Sequence, residues 1–170
     1  MKKILPALLV TLGTAWTSCP AAPASGKLPA PRVIATTPAE FVAQLPAKVY
    51  LLLGGSAEEN QRTASAVESL GKLSKTALAL LPEGATRPKA TSQSAPDYPR
   101  DYGEGQAQVI GLITPAGEVA AVYCAKASQP VFGERACAAI VRWKFKPARV
   151  NGEAVPVLLT QLIEFNIEQH

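Results

Sequence analysis

Residues 132–167 read FGERACAAIVRWKFKPARVNGEAVPVLLTQLIEFNI, and this stretch decides the fold. Phe132, Ala136, Ile140 and Trp143 recur at spacings of four, four and three, which puts them on one face of a helix over 133–143. The helix must stop soon after Trp143, because Pro147 has no N–H and biases Lys146 toward extended geometry. Asn151-Gly152 is a tight-turn pair, since both residues tolerate positive φ. A strand over 154–167 follows. Val155, Val157, Leu159, Ile163, Phe165 and Ile167 share one face of its period-two pattern, with Gln161 the one polar residue among them.

Working outward from there, Gly105, Ala107, Val109, Gly111 and Ile113 alternate along a strand over 105–114. Pro115-Ala116-Gly117 turns the chain into a second strand over 118–126. The order β-β-α-β predicts an α+β fold, a three-stranded antiparallel sheet with one helix across one face. A core of that size is marginal by itself.

This string of features resembles the C-terminal domain of the TonB family over about residues 97–168. Trp143, Lys144, Phe145, Lys146, Pro147, Ala148 and Gly152 match its Trp-(Arg/Lys)-Phe-x-Pro-Ala motif and following Gly turn. Tyr98-Pro99 resembles the dipeptide that opens the family domain, and Gly117-Glu118-Val119 its hairpin. Two departures stand out. The spacing from Tyr98 to Gly105 leaves room for only a shortened helix, and Cys124 and Cys137 stand where aliphatic residues are usual. The resemblance implies a non-catalytic periplasmic module that binds a short segment of an outer-membrane transporter by strand addition.

The N-terminus reads as an export leader over 1–24. Lys2 and Lys3 precede an apolar run from Ile4 to Trp16, and Ala22-Pro23-Ala24 offers small residues for cleavage. Thirteen residues make a helix of about 20 Å, short of the roughly 30 Å hydrocarbon core. Alternatives are a lipoprotein leader acylated at Cys19, with Trp16 in the place of the expected aliphatic residue, and a retained anchor. Residues 25–36 form a Pro- and Ala-rich linker, shorter than the spacer of TonB proper.

Residues 37–83 carry their own pattern, an α-β-α-β segment. Thr37-Pro38-Ala39-Glu40 is a capping box with Pro at the first helical position, opening a short helix to about Leu45. Lys48–Leu53 reads as a buried strand. Ser56-Ala57-Glu58-Glu59 is a second capping box, and the helix it opens would bury Ala64, Val67 and Leu70. A strand over 76–81 completes a βαβ unit with parallel strands. Gly54-Gly55 ahead of a helix could cradle a phosphate, but Glu58 and Glu59 sit where the anion would go. Residues 84–97, rich in Pro, Ser and Thr, read as an exposed linker. The chain thus divides into 1–24, 25–36, 37–83, 84–97 and a TonB-like domain at 98–168.

Chemistry is sparse. The chain has 17 Lys and Arg against 13 Asp and Glu; without Lys2 and Lys3 the balance is 15 to 13, too mild for nucleic acid. Its one histidine is His170, the last residue, so no Ser-His or Cys-His pair and no His-metal cluster is expected. No catalytic group, cofactor, metal or small-molecule substrate is expected. Arg142, Lys144, Lys146 and Arg149 read as a solvated basic face. Cys124 shares a strand face with Val122, and Cys137 lies beside Ala136 and Ile140 on the helix face above it. In an oxidising compartment that pair is expected to form a disulfide, the alternative being two buried thiols. A strand over 154–167 at a sheet edge would offer free backbone groups to a partner strand, with Leu158, Thr160, Gln161, Leu162 and Glu164 as the contact residues. The partner would be a protein: an outer-membrane transporter on the family resemblance, or a second copy of the chain. A stand-alone structural envelope protein or lipoprotein is the alternative reading.

Overall fold

The computed structural model describes residues 32–71 and 76–166. The leader, Cys19, most of 25–36, Ile167 and His170 lie outside the described residues. In chain order the elements are β1 (Val33–Ala35), α1 (Pro38–Ala43), β2 (Lys48–Leu51), α2 (Ala57–Glu68), β3 (Ala77–Leu80), β4 (Lys89–Ser92), a single 3-10 turn at Arg100–Tyr102, β5 (Gly105–Ile113), β6 (Val119–Ala127), α3 (Pro130–Ile140), β7 (Lys144–Lys146), β8 (Ala148–Val150), β9 (Glu153–Val155) and β10 (Val157–Phe165). The fold is α+β.

At its centre lies the expected antiparallel sheet, β6-β5-β10, with α3 across one face. Val109, Ile113, Val122, Phe132, Ala136, Ile140, Trp143 and Phe165 make the core between that face and the helix. The helix runs over Pro130–Ile140 and not over 133–143. Pro130 takes the first helical position, where its missing N–H costs nothing. Trp143 lies past the helix end, its N–H donating to the carbonyl of Ile140 at 3.0 Å.

The N-terminal segment is not a separate unit. Its strands β2 and β3, together with β1 from the stretch read as a linker over 25–36, extend the central sheet to six, in the order β1-β6-β5-β10-β2-β3. The βαβ unit forms as its pattern predicts, with β2 and β3 parallel and α2 between them. Both capping boxes are present, Thr37 with Glu40 and Ser56 with Glu59. One oxygen of the Glu59 carboxylate accepts from Gly55 N–H at 2.8 Å, so the chain's own acid fills the helix N-terminus. The physical reason for a single sheet is the second face of β5 and β10. Ile110, Leu112 and Leu158 point away from α3 and are buried against Phe41, Val49, Leu51, Ala66 and Leu70. A three-stranded sheet alone would leave those side chains in water. On α2 the buried positions are Thr63 and Ala66; of the expected inner face, Leu70 is buried just past the helix end and Val67 packs half-buried against the core, while Ala64 is exposed.

Residues 84–97 are docked as well. β4 pairs antiparallel with β7, setting Ala90 opposite Phe145, and Thr86 bridges Arg149. The long strand expected over 154–167 is two strands, divided at Pro156. β9 pairs with β8 around Asn151-Gly152, whose φ angles of 52° and 84° are those of a two-residue hairpin turn. Proline has no N–H for the ladder, so the chain changes partners there.

Candidate partner-binding edge

β10 is not an edge strand along its whole length. Its first two residues pair in parallel register with β2, Val157 with Tyr50 and Leu158 with Leu51. Tyr50 N–H donates to Pro156 O at 3.0 Å and Leu52 N–H to Leu158 O at 3.2 Å. Beyond Leu52 the chain turns away through Gly54-Gly55 into α2. On its other side β10 pairs with β5 throughout, from Val157 opposite Ile113 to Phe165 opposite Gly105. From Leu159 onward, β10 has no second strand partner among the described residues.

The backbone geometry of this open stretch follows from those bonds. In a strand the N–H and C=O of successive residues alternate between the two sides. Leu158 directs its carbonyl at β2, so the backbone groups of Thr160, Leu162 and Glu164 point toward the open side, and those of Leu159, Gln161 and Ile163 toward β5. The open stretch, 160–165, is about 20 Å long at roughly 3.3 Å per residue.

The sequence-derived contact residues divide accordingly. Leu158 is fully buried and opposite Leu51, so it is not available to a partner. Its side chain fills the second core, which the sequence pattern of one apolar face did not require. Thr160, Gln161 and Leu162 are half-buried, and Glu164 is exposed. A cleft of about 290 Å³ lies along them, lined by Leu159, Thr160, Gln161 and Leu162 of β10, Leu53, Gly54 and Gly55, and Arg62, Thr63 and Arg87. Arg87 donates to Leu53 O at 2.9 Å, and Gln108 Nε2 to Arg62 O at 2.7 Å, tying the cleft walls to the sheet. Thr160 Oγ1 is buried with no hydrogen-bond partner among the described residues. Sequence reasoning missed the contribution of Arg62, Thr63 and Arg87; none belongs to a recognisable motif, and only the chain crossing places them here.

The motif residues are structural. Gly117 at φ 81° closes the β5–β6 hairpin, and its carbonyl accepts from Phe145 N–H at 2.7 Å. Trp143 and Phe145 are buried in the core under α3. Tyr98 donates its hydroxyl to Gly103 O at 2.8 Å and packs its ring near Phe165, and Pro99 is buried beside it. Gly152 forms the β8–β9 turn, and Pro147 separates β7 from β8. Arg142, Lys144, Lys146 and Arg149 are exposed.

Cys124 and Cys137 are neighbours across the β6–α3 interface, and the structure holds them as thiols where a disulfide was expected. The Cys137 thiol hydrogen-bonds to Cys124, which holds Cys124 below the ordinary thiol range and pushes Cys137 above it, burial adding to the rise at Cys137.

Residues 94–167 match the family model described as Gram-negative bacterial TonB protein C-terminal. The match supports a TonB-like protein-interaction module over those residues. A solution structure of the TonB C-terminal domain of Pseudomonas aeruginosa is similar at 28% sequence identity, over 49% of this chain and 89% of that one, with a TM-score of 0.42. No curated protein matches the chain.

Proposed function

We propose that this protein binds an extended segment of an envelope protein, an outer-membrane transporter in the periplasm, by adding it as a strand along residues 160–165 of β10. The observation that carries the reading is the open half of β10. A row of outward backbone N–H and C=O groups, on a strand fixed by β5 behind it and bordered by a cleft, is what strand addition uses. The family match to 94–167 supports the partner class, and the basic-then-apolar leader supports the compartment.

Energetics favours the open half over the covered half. Displacing β2 would expose Val49, Leu51 and Leu158, all buried. At about 1.5–3 kcal/mol for each such side chain, that would cost roughly 5–9 kcal/mol before any new contact formed. Pairing along 160–165 displaces nothing. A bound strand would run on in the row that β2 begins, and would bring polar groups to the buried Thr160 hydroxyl.

Amide hydrogen exchange with and without an immobilised transporter segment tests this reading. Binding should slow the amides of Thr160, Leu162 and Glu164, which face the open side, with little change at Leu159, Gln161 and Ile163, already paired with β5. Slowing confined to another face would move the interface elsewhere and favour a structural envelope role for this edge.

A further inference from the structure

Cys124 lies on the β6 face that α3 covers, and α3 carries Gly133 and Cys137 one turn apart beneath it. A Cβ added at Gly133 would come within 2.7 Å of Cys124 Sγ, so the sulfur occupies the space that this glycine leaves open. Cys124 Sγ donates to Lys126 O at 3.5 Å, and its side chain packs against the core cluster that holds Cys137. The two thiols differ in access. Cys137 is 2% exposed, whereas Cys124 is half-buried. β1 pairs with β6 only as far as Tyr123, so from Cys124 onward the outer edge of β6 has no strand partner among the described residues.

We infer that Cys124 and Cys137 form a two-thiol redox site that reacts with disulfides, Cys124 making the first attack and Cys137 closing the bond that ties α3 to β6. The Cys124 thiolate attacks one sulfur of a disulfide, RS–SR. That S–S bond breaks, one RS⁻ leaves with the electron pair, and Cys124 holds the other half as a mixed disulfide. Cys137 then gives up its proton to the departed thiolate and attacks Cys124 Sγ, expelling the second RS⁻. The proton released from Cys124 completes the second RSH. Two protein thiols are oxidised and one disulfide is reduced to two thiols. The order of events follows from access, because a reagent in solution meets Cys124 and does not meet Cys137. The lowered Cys124 titration agrees with this order, since the thiolate is the attacking form. Gly133 contributes by letting β6 and α3 approach closely at Cys124, with Cys137 one turn further along the same helix.

The test uses the full chain carrying Cys19→Ser, so that the third cysteine does not react, with glutathione disulfide as the probe. After incubation, quenching in acid and alkylation of the unfolded chain, mass spectrometry should show a protein lighter by two hydrogens, with no free thiol and no glutathione adduct. Cys137→Ala, checked for folding by circular dichroism, should stop at the adduct on Cys124. Cys124→Ala, checked in the same way, should be modified at least about tenfold more slowly, because Cys137 is shielded. Two alkylated thiols in the Cys19→Ser chain, or a stable adduct that does not close, would overturn the inference. Equal modification rates for the two alanine variants would overturn the assigned order.

Discussion

The indole N–H of Trp143 donates to the carbonyl of Ser94 at 2.8 Å. The bond joins the buried end of the Trp-x-Phe motif to a segment forty-nine positions earlier in the chain, and it anchors residues 84–97 beside the paired strands β4 and β7. Trp143→Phe keeps most of the buried ring but leaves the Ser94 carbonyl unpaired. It should cost about 1–3 kcal/mol, and limited proteolysis within 84–97 should become faster. Trp143→Ala also removes the ring and should cost about 3–5 kcal/mol. Urea unfolding of both variants separates the two contributions.

Gly117 is fixed by its surroundings as well as by its conformation. A side chain at φ 81° is strained on its own account, and a Cβ there would overlap the Phe145 carbonyl oxygen. That carbonyl belongs to β7, whose Phe145 N–H already bonds back to Gly117. Backbone on both sides cannot yield as a flexible side chain could. Gly117→Ala should therefore exceed the roughly 1–2 kcal/mol of the left-handed conformation alone. A thermal midpoint unchanged from the parent chain would contradict this packing.

Glu40 gives a pH signature at the first helix. Its carboxylate accepts from Thr36 N–H and Oγ1, both at 2.9 Å, and from Thr37 N–H at 3.3 Å. These bonds, that from the Thr36 backbone first, hold its pKa below the ordinary carboxylate value. Because folding lowers this pKa, the carboxylate's contribution is complete above the ordinary value and is lost as pH falls through the lower folded value. Glu40→Gln should remove that part of the acid-side loss of stability, leaving the two proteins most alike at the lowest pH. Thermal midpoints across the acid range check the convergence.

The residues themselves showed the C-terminal fold more clearly than its surroundings. Period-two apolar patterns, the Asn151-Gly152 turn and the Phe132-Ala136-Ile140 stripe are local signals, and each corresponds to a nearby element. The joining of the N-terminal segment to the same sheet was not legible, because strand order depends on contacts between distant residues. The available hints were Ile110, Leu112 and Leu158. An apolar residue on the supposedly outward face of a strand calls for a second covering layer, and α1 and α2 supply it. Pro156 likewise carried the information that the last strand is divided, which the unbroken apolar alternation around it concealed.

The open half of β10 is tested most directly by two proline substitutions at adjacent positions. The Thr160 N–H points to the open side, where proline removes only a donor available to a partner. The Gln161 N–H points to β5, opposite Val109, where proline removes a ladder bond within the sheet. The measurement is affinity for an immobilised transporter segment beside the circular dichroism melt of each variant. Thr160→Pro should keep a melt close to that of the parent and lose binding by about tenfold or more, the equivalent of one net hydrogen bond of about 1–1.5 kcal/mol. Gln161→Pro should lower the melt. A folded Thr160→Pro protein that binds as tightly as the parent would contradict strand addition along this edge.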